Sequence, residues 1–340
     1  MKYIERWKQV IAMATVNFVL ATVNILFKMA LERGMSHMII VAYRQIISTV
    51  FLIPFAYLWE RESWNKLTPW LIVQMFLCAL IGLTLCQYLF LLGLKYTSTT
   101  FMCAFINVVP VITFIMALPF GMEKVNMKRK SGRATVLGIL TCLGGTLILI
   151  LYKGMPLIMR NSWSHPQHQH NIKAAGWSII GSLYLFAGSV SWSSWFLIQT
   201  RIGHKYPYQY SSTVTMSLFS AVQSIVLCFI VDRNISTWAL KGKLEILSVL
   251  YAGIIASGLC YVVMSWCVKQ KGPVFTSAFS PLVQIFAAAF EVSLLHQEIY
   301  LGSILGSIIV IVGMYVLLWG KSNNDETGKQ IVPTEMDETR

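Results

Sequence analysis

Apolar runs of about twenty residues follow one another along the chain, and nothing else in the sequence limits its fold as strongly. A run of about 18 or more apolar residues crosses a hydrocarbon core of ~30 Å as a helix. The runs are continuous and not alternating, so they read as helices and not as barrel strands. Ten are predicted, at roughly 10–30, 38–58, 70–93, 99–120, 134–152, 176–199, 209–231, 245–268, 275–295 and 300–319. Composition agrees. The chain is 56% hydrophobic and 12% charged, against about 25% charged in soluble domains, and cannot coat a soluble surface. Lys2, Arg6 and Lys8 ahead of the first run resemble the start of a secretory leader. The run is longer than the ~7–15 residues of a leader core and lacks a small-residue cleavage site, so it is expected to stay as the first span.

The formal net charge of +13 does not point to nucleic acid, because no basic stripe with interleaved aromatics stands outside the spans. The Lys and Arg residues sit in short loops. Taking the N-terminus, alternate loops and the C-terminus as one side gives 17, against 8 on the other, with Lys28 and Arg44 inside spans. The heaviest loop is EKVNMKRKSGR. Positive charge stays on the cytoplasmic side, so both termini are expected there. The seven cysteines all lie in apolar runs without a CxxC pair, and neither disulfides nor a metal site is expected from them. The six histidines, His37, His165, His168, His170, His204 and His296, fall in loops or at span ends. His165, His168 and His170 belong to HPQHQH in the one long connector and read as a solvated loop. No HExxH, paired aspartate or embedded Ser/His set supports an intramembrane enzyme, and no cofactor is expected.

The two halves repeat. Lys28 corresponds to Gln199, Glu60 to Asp232, Tyr88 to Tyr261, Ala104-Phe105 to Ala278-Phe279, and Glu123 to Glu298, at offsets of 171, 172, 173, 174 and 175. The predicted fold is therefore an all-α membrane protein, ten transmembrane helices as two five-helix repeats. Five is odd, so the second copy enters the membrane from the opposite side and the repeats are inverted. The expected organisation is a first repeat at 1–152, an extracytoplasmic connector at 153–175, a second repeat at 176–320 and a disordered cytoplasmic tail at 321–340.

Polar side chains inside spans are costly and mark function by default. The candidate substrate-binding residues are Asn17, Asn24 and Lys28, spaced seven and four apart on one face of the first span; Arg44 in the second; Gln87 and Tyr88 in the third; Asn107 and Pro110 in the fourth; Trp195 and Gln199 in the sixth; Tyr261 in the eighth; and Pro281, Gln284 and Glu291 in the ninth. Pro110 and Pro281 occupy close to corresponding positions, and each is expected to kink its span beside a cavity lined by Asn107 or Gln284. Plainer roles stay open. Lys28 and Arg44 can snorkel to headgroups, Glu291 can pair with either of them, and Trp192 and Trp195 can anchor at the interface. Spans five and ten carry glycines instead (Gly138, Gly144, Gly145; Gly302, Gly306, Gly313) and read as structural.

GMEKVNMKRKSGRATVLGILTCLGGTLILILYKG, LHQEIYLGSILGSIIVIVGMYVLLWGK, AYRQIIS and KGPVFTSAFSPL together resemble the drug/metabolite transporter superfamily. Within it, the chain is similar to the plant nodulin-like family, also called walls-are-thin-related or UMAMIT transporters, with two EamA-like halves. The resemblance covers about residues 5 to 322. It implies a carrier of amino acids, often bidirectional, or of auxin or other small metabolites, working by alternating access. It also implies a plasma or vacuolar membrane location, the plasma membrane being expected first. The expected partners are a small-molecule substrate and the lipid bilayer, with homo-oligomerisation left open. A zwitterion needs an anion for its ammonium, which Glu291 supplies, and a donor for its carboxylate, which Lys28 or Arg44 supplies; proton linkage through Glu291 is a further expectation.

Overall fold

The computed structural model describes residues 2–32, 35, 37–96, 99–123, 129–152, 175–231, 238, 242–295 and 301–331. Described residues form helices and turns, with no strand among them. The helices are α1 (Lys2–Glu32), α2 (His37–Trp59), α3 (Pro69–Cys78), α4 (Cys86–Tyr96), α5 (Thr99–Ala117), α6 (Lys130–Leu151), α7 (Ala175–Lys205), α8 (Gln209–Val231), α9 (Lys243–Tyr251), α10 (Tyr261–Lys271), α11 (Pro273–Ser277), α12 (Ser280–Leu295) and α13 (Leu301–Ile331). Among the described residues five stretches are long and apolar enough to cross a membrane: Trp7–Phe27, Met38–Trp59, Pro69–Gly93, Gln209–Val231 and Lys243–Lys271. Three shorter apolar stretches accompany them, Phe105–Ala117, Pro273–Ala287 and Ile304–Gly320.

Local chemistry sets the breaks. Thr68 accepts from the Leu71 amide and Pro69 opens α3, a cap and a first-turn proline in the places where a helix leaves amides unbonded. Gly272 closes α10 at φ 87°, a conformation that only glycine adopts freely, and Pro273 opens α11 directly after it. α13 continues to Ile331, into the stretch expected as a disordered tail; a helix satisfies its backbone internally and needs no apolar face to carry on past the membrane. The connector expected at 153–175, with His165, His168 and His170, lies outside the described residues apart from its last residue, Ala175.

The chain forms two compact units, Met1–Met116 with Trp163–Gln297, and Ala117–Ser162 with Glu298–Arg340. In the first, α2 lies along α8. Ser48 faces Ser217 at 3.4 Å, Leu52 and Ala56 pack with Val214, and Ser63, just past α2, bonds Ser211 at 2.7 Å. Numbers rise on one side as they fall on the other, so the two helices are antiparallel. The Glu60 carboxylate accepts from the Tyr210 and Ser211 amides at 3.2 and 2.7 Å. It thereby fills the amide end of α8 with a negative charge, where the helix dipole favours it. Elsewhere in this unit Phe18 of α1 meets Phe286 and Phe290 of α12, and Tyr96 of α4 stacks on Tyr184 of α7.

Two stretches in this unit depart from the α-helical register. Ala79–Leu85, between α3 and α4, and Ala252–Cys260, between α9 and α10, are π-helical. The Cys86 amide bonds back five residues to Ile81 O. Ala79 and Ala252 are 173 positions apart, the same offset as Tyr88 and Tyr261.

The second unit is built on α6 and α13. A Cβ on Gly138 would lie 2.5 Å from the Leu317 amide nitrogen. One on Gly313 would lie 2.6 Å from the Cys142 nitrogen, and one on Gly145 2.8 Å from the Val310 nitrogen. Gly320 sits equally close to Ser131 O and Thr135 N. These pairs also run in opposite order, so α6 and α13 are antiparallel with backbone against backbone. Lipid offers no hydrophobic drive for helices to associate, and the glycines along this seam let the backbones approach so that dispersion contacts form instead.

Candidate substrate site

Trp192 and Trp195 stand three apart on α7 and therefore share a face. Their rings stack at 5.4 Å with planes 12° apart. Tyr261, the first residue of α10, closes against both, at 6.5 Å from Trp192 and 5.8 Å from Trp195. Arg44 of α2 reaches this aromatic wall, its Nη2 donating to the Tyr261 hydroxyl at 2.7 Å. Trp195 and Tyr261 are buried, while Arg44 and Trp192 keep part of their surface open.

The wall is rich in donors. Arg44 Nε and Trp195 Nε1 are buried and have no hydrogen-bond partner. Tyr261 accepts from Arg44, which leaves its own hydroxyl proton to give. Among the described residues Arg44 has no carboxylate partner. An arginine held in apolar surroundings by one neutral hydroxyl, beside an orphaned indole N–H, is arranged to receive an anion. Stacked indoles beside it offer a flat apolar face.

A second meeting point joins α5 to α12. Asn107 Nδ2 donates to Gln284 Oε1, and the buried Asn107 Oδ1 is left as an unpartnered acceptor. α5 is tied to α7 nearby, where Ser189 and Ser193 donate to Phe105 O and Val109 O at 2.9 and 3.3 Å. Pro110 is buried inside α5. Pro281 differs. The helix stops at Ala278–Phe279, and Pro281 stands in the first turn of α12, where its missing N–H costs no helix bond. The ninth apolar run is thus broken before its proline and not kinked by it.

Asn17, Asn24, Gln199, Gln87 and Tyr88 make none of these contacts. Asn17 is buried, and its amide donates to Met13 O of its own helix at 2.6 Å. Asn24 is exposed. The shared face predicted from their spacing therefore does not bring both into one buried site. Gln199 donates to Ser265 at 2.8 Å, tying α7 to α10. Gln87 and Tyr88 line a cleft with Thr84 and Ser224 whose volume is about 10 Å³, room for one water. Lys28 and Glu291 sit in helices whose backbone is described, but their side chains lie outside the described residues. Sequence reasoning passed over Gly82 and Gly253, one in each π-helical stretch, whose signal was a glycine inside an apolar run.

A polytopic helical membrane protein with a cation and aromatics gathered among its spans is in class a membrane transporter, and the comparisons with known proteins specify the family. The EamA-like transporter family model matches residues 7–151 and again 179–319. Three WAT1-related proteins of Arabidopsis thaliana are 48%, 46% and 45% identical to this chain over 319, 322 and 332 residues. These matches cover 93%, 94% and 96% of this chain and 87%, 88% and 88% of the relatives. The chain belongs to the EamA-like transporter family, among its WAT1-related plant members. A solved crystal structure shares the fold, with a TM-score of 0.69 at 16% identity, covering 91% of this chain and 95% of its own.

Proposed function

We propose that the chain is a secondary carrier of amino acids and similar small carboxylate-bearing metabolites, working by alternating access. The observation that carries this is the Arg44–Tyr261 pair against the Trp192/Trp195 stack, with the Arg44 Nε and Trp195 Nε1 donors unused. A substrate carboxylate takes those donors, and the indole faces pack the rest of the solute. The Asn107/Gln284 pair supplies an acceptor and amide dipoles for polar substituents. Glu291 keeps its assignment as the anion for a substrate ammonium or a coupling proton.

Ten spans in two inverted five-helix repeats are part of this reading. The antiparallel α2–α8 and α6–α13 pairs, the two family matches and the matched π-helical stretches all support it. Both termini are placed in the cytoplasm from the Lys and Arg count, and the plasma membrane is the assigned location. A second reading, an organic-acid carrier taking an aromatic carboxylate such as auxin, is favoured by the stacked Trp192 and Trp195 indoles, whose flat apolar faces suit an aromatic ring.

The test is counterflow in proteoliposomes with tritiated L-glutamine, L-histidine, L-tryptophan and indole-3-acetate. Saturable counterflow of at least one amino acid is expected. Counterflow of indole-3-acetate alone moves the assignment to the second reading. No flux of any of the four, from protein that remains monodisperse, overturns both.

A further inference from the structure

The second π-helical stretch ends beside Arg44, because Tyr261, the residue that follows it, accepts the Arg44 hydrogen bond. Each stretch also holds one glycine hard against a helix that carries a site residue. Gly82 abuts Trp195 of α7, where an added Cβ would come within 2.6 Å of the indole Cγ. Gly253 abuts α2, where it would come within 2.6 Å of Ile47 Cβ and 3.1 Å of the Arg44 carbonyl oxygen. Gly258 meets Phe51 of α2, Gly93 meets Leu185 of α7 and Gly188 meets Phe90, none of them a residue of the site.

The π register explains why the glycines face this way. One residue added to an α-helix turns everything beyond it by about 100°. A π stretch therefore aims the residues around it at a face that an uninterrupted helix would not present. Here that face is the aromatic wall on one side and the arginine helix on the other. The indole of Trp195 leaves no room for a methyl group, so the position of the ring depends on Gly82 having none.

We propose that Gly82 and Gly253 are positioning residues for the substrate site, Gly82 setting the Trp195 indole in its stack on Trp192 and Gly253 setting the backbone of Arg44. The proposal rests on the site assigned above for the role it gives Trp195 and Arg44. The geometric part stands independently of whether that site binds substrate.

Two readouts separate these parts. The first needs no ligand: the stacked indoles give an exciton couplet in circular dichroism. Gly82→Ala is expected to abolish that couplet, as Trp195→Phe does, while Gly144→Ala, at a glycine with nothing within 4 Å, leaves it intact. The second is counterflow of whichever of the four tritiated solutes the wild type carries. Gly82→Ala is expected to raise KM about tenfold with a smaller change in maximal rate. In the double variant Gly82→Ala/Trp195→Gly the atoms that the methyl would meet, Trp195 Cβ, Cγ and Cδ1, are gone, and it is expected to match Trp195→Gly alone in KM and in fold. A Gly82→Ala protein that keeps both couplet and KM overturns the proposal, as does a double variant whose two effects simply add. Trp195→Phe with wild-type KM overturns the substrate site instead, and the couplet still decides what Gly82 does.

Discussion

The α2–α8 pair and the α6–α13 pair are both antiparallel, and they are held together by opposite means. Along α2–α8 the polar contacts are hydroxyls and a carboxylate, beside the packing of Leu52 and Ala56 on Val214: Ser48 with Ser217, Ser63 with Ser211, and Glu60 on the α8 amides. Along α6–α13 the contacts are glycines, with backbone close against backbone. A hydroxyl rotates and can exchange one partner for another at little cost. A glycine brings no side chain of its own to rearrange, and the close backbone contacts it allows are lost once the helices separate. The first kind of seam suits helices that slide, as the proposed alternating access requires. The second suits helices that hold their geometry.

Substitutions break this comparison at unequal cost. Gly313→Leu forces a large side chain into the Cys142 backbone and is expected to destabilise the protein by about 1–3 kcal/mol, the usual range for overpacking. Thermal unfolding of the detergent-solubilised protein checks it, and an unchanged melting temperature contradicts the glycine seam. Ser217→Ala removes one hydroxyl contact and is expected to cost only about 0.6 kcal/mol, typical of an interhelical hydrogen bond in a membrane. The same melt checks it, and a loss as large as that of Gly313→Leu erases the distinction between the seams.

The sequence displays the fold and the ingredients of the site more clearly than their assembly. The apolar runs and the offsets near 173 are visible because span length and repeat spacing are linear properties. Arg44, Trp195 and Tyr261 stand out as polar or aromatic residues inside apolar runs. Their contact is invisible, since Arg44 and Tyr261 are 217 positions apart. Asn17 and Asn24 share a helical spacing, but spacing does not say that Asn17 spends its amide on Met13 O. Pro281 looks like a kink because a break two residues earlier, at Ala278–Phe279, leaves no mark in composition. The π-helical stretches are hidden for the same reason: a change in hydrogen-bond register alters no residue type, and small residues such as Gly82, Gly253 and Gly258 are its sole trace.

The central claim is that Arg44, presented to the aromatic wall by Tyr261, receives the substrate carboxylate. Arg44→Gln keeps a donor for the Tyr261 hydroxyl and removes the charge. A hydrogen bond to a charged group contributes about 1.5–3 kcal/mol, so KM in the proteoliposome assay should rise roughly tenfold to a hundredfold. The variant should keep the wild-type melting temperature to within a few degrees. Wild-type KM and maximal rate in a folded Arg44→Gln protein would contradict the account.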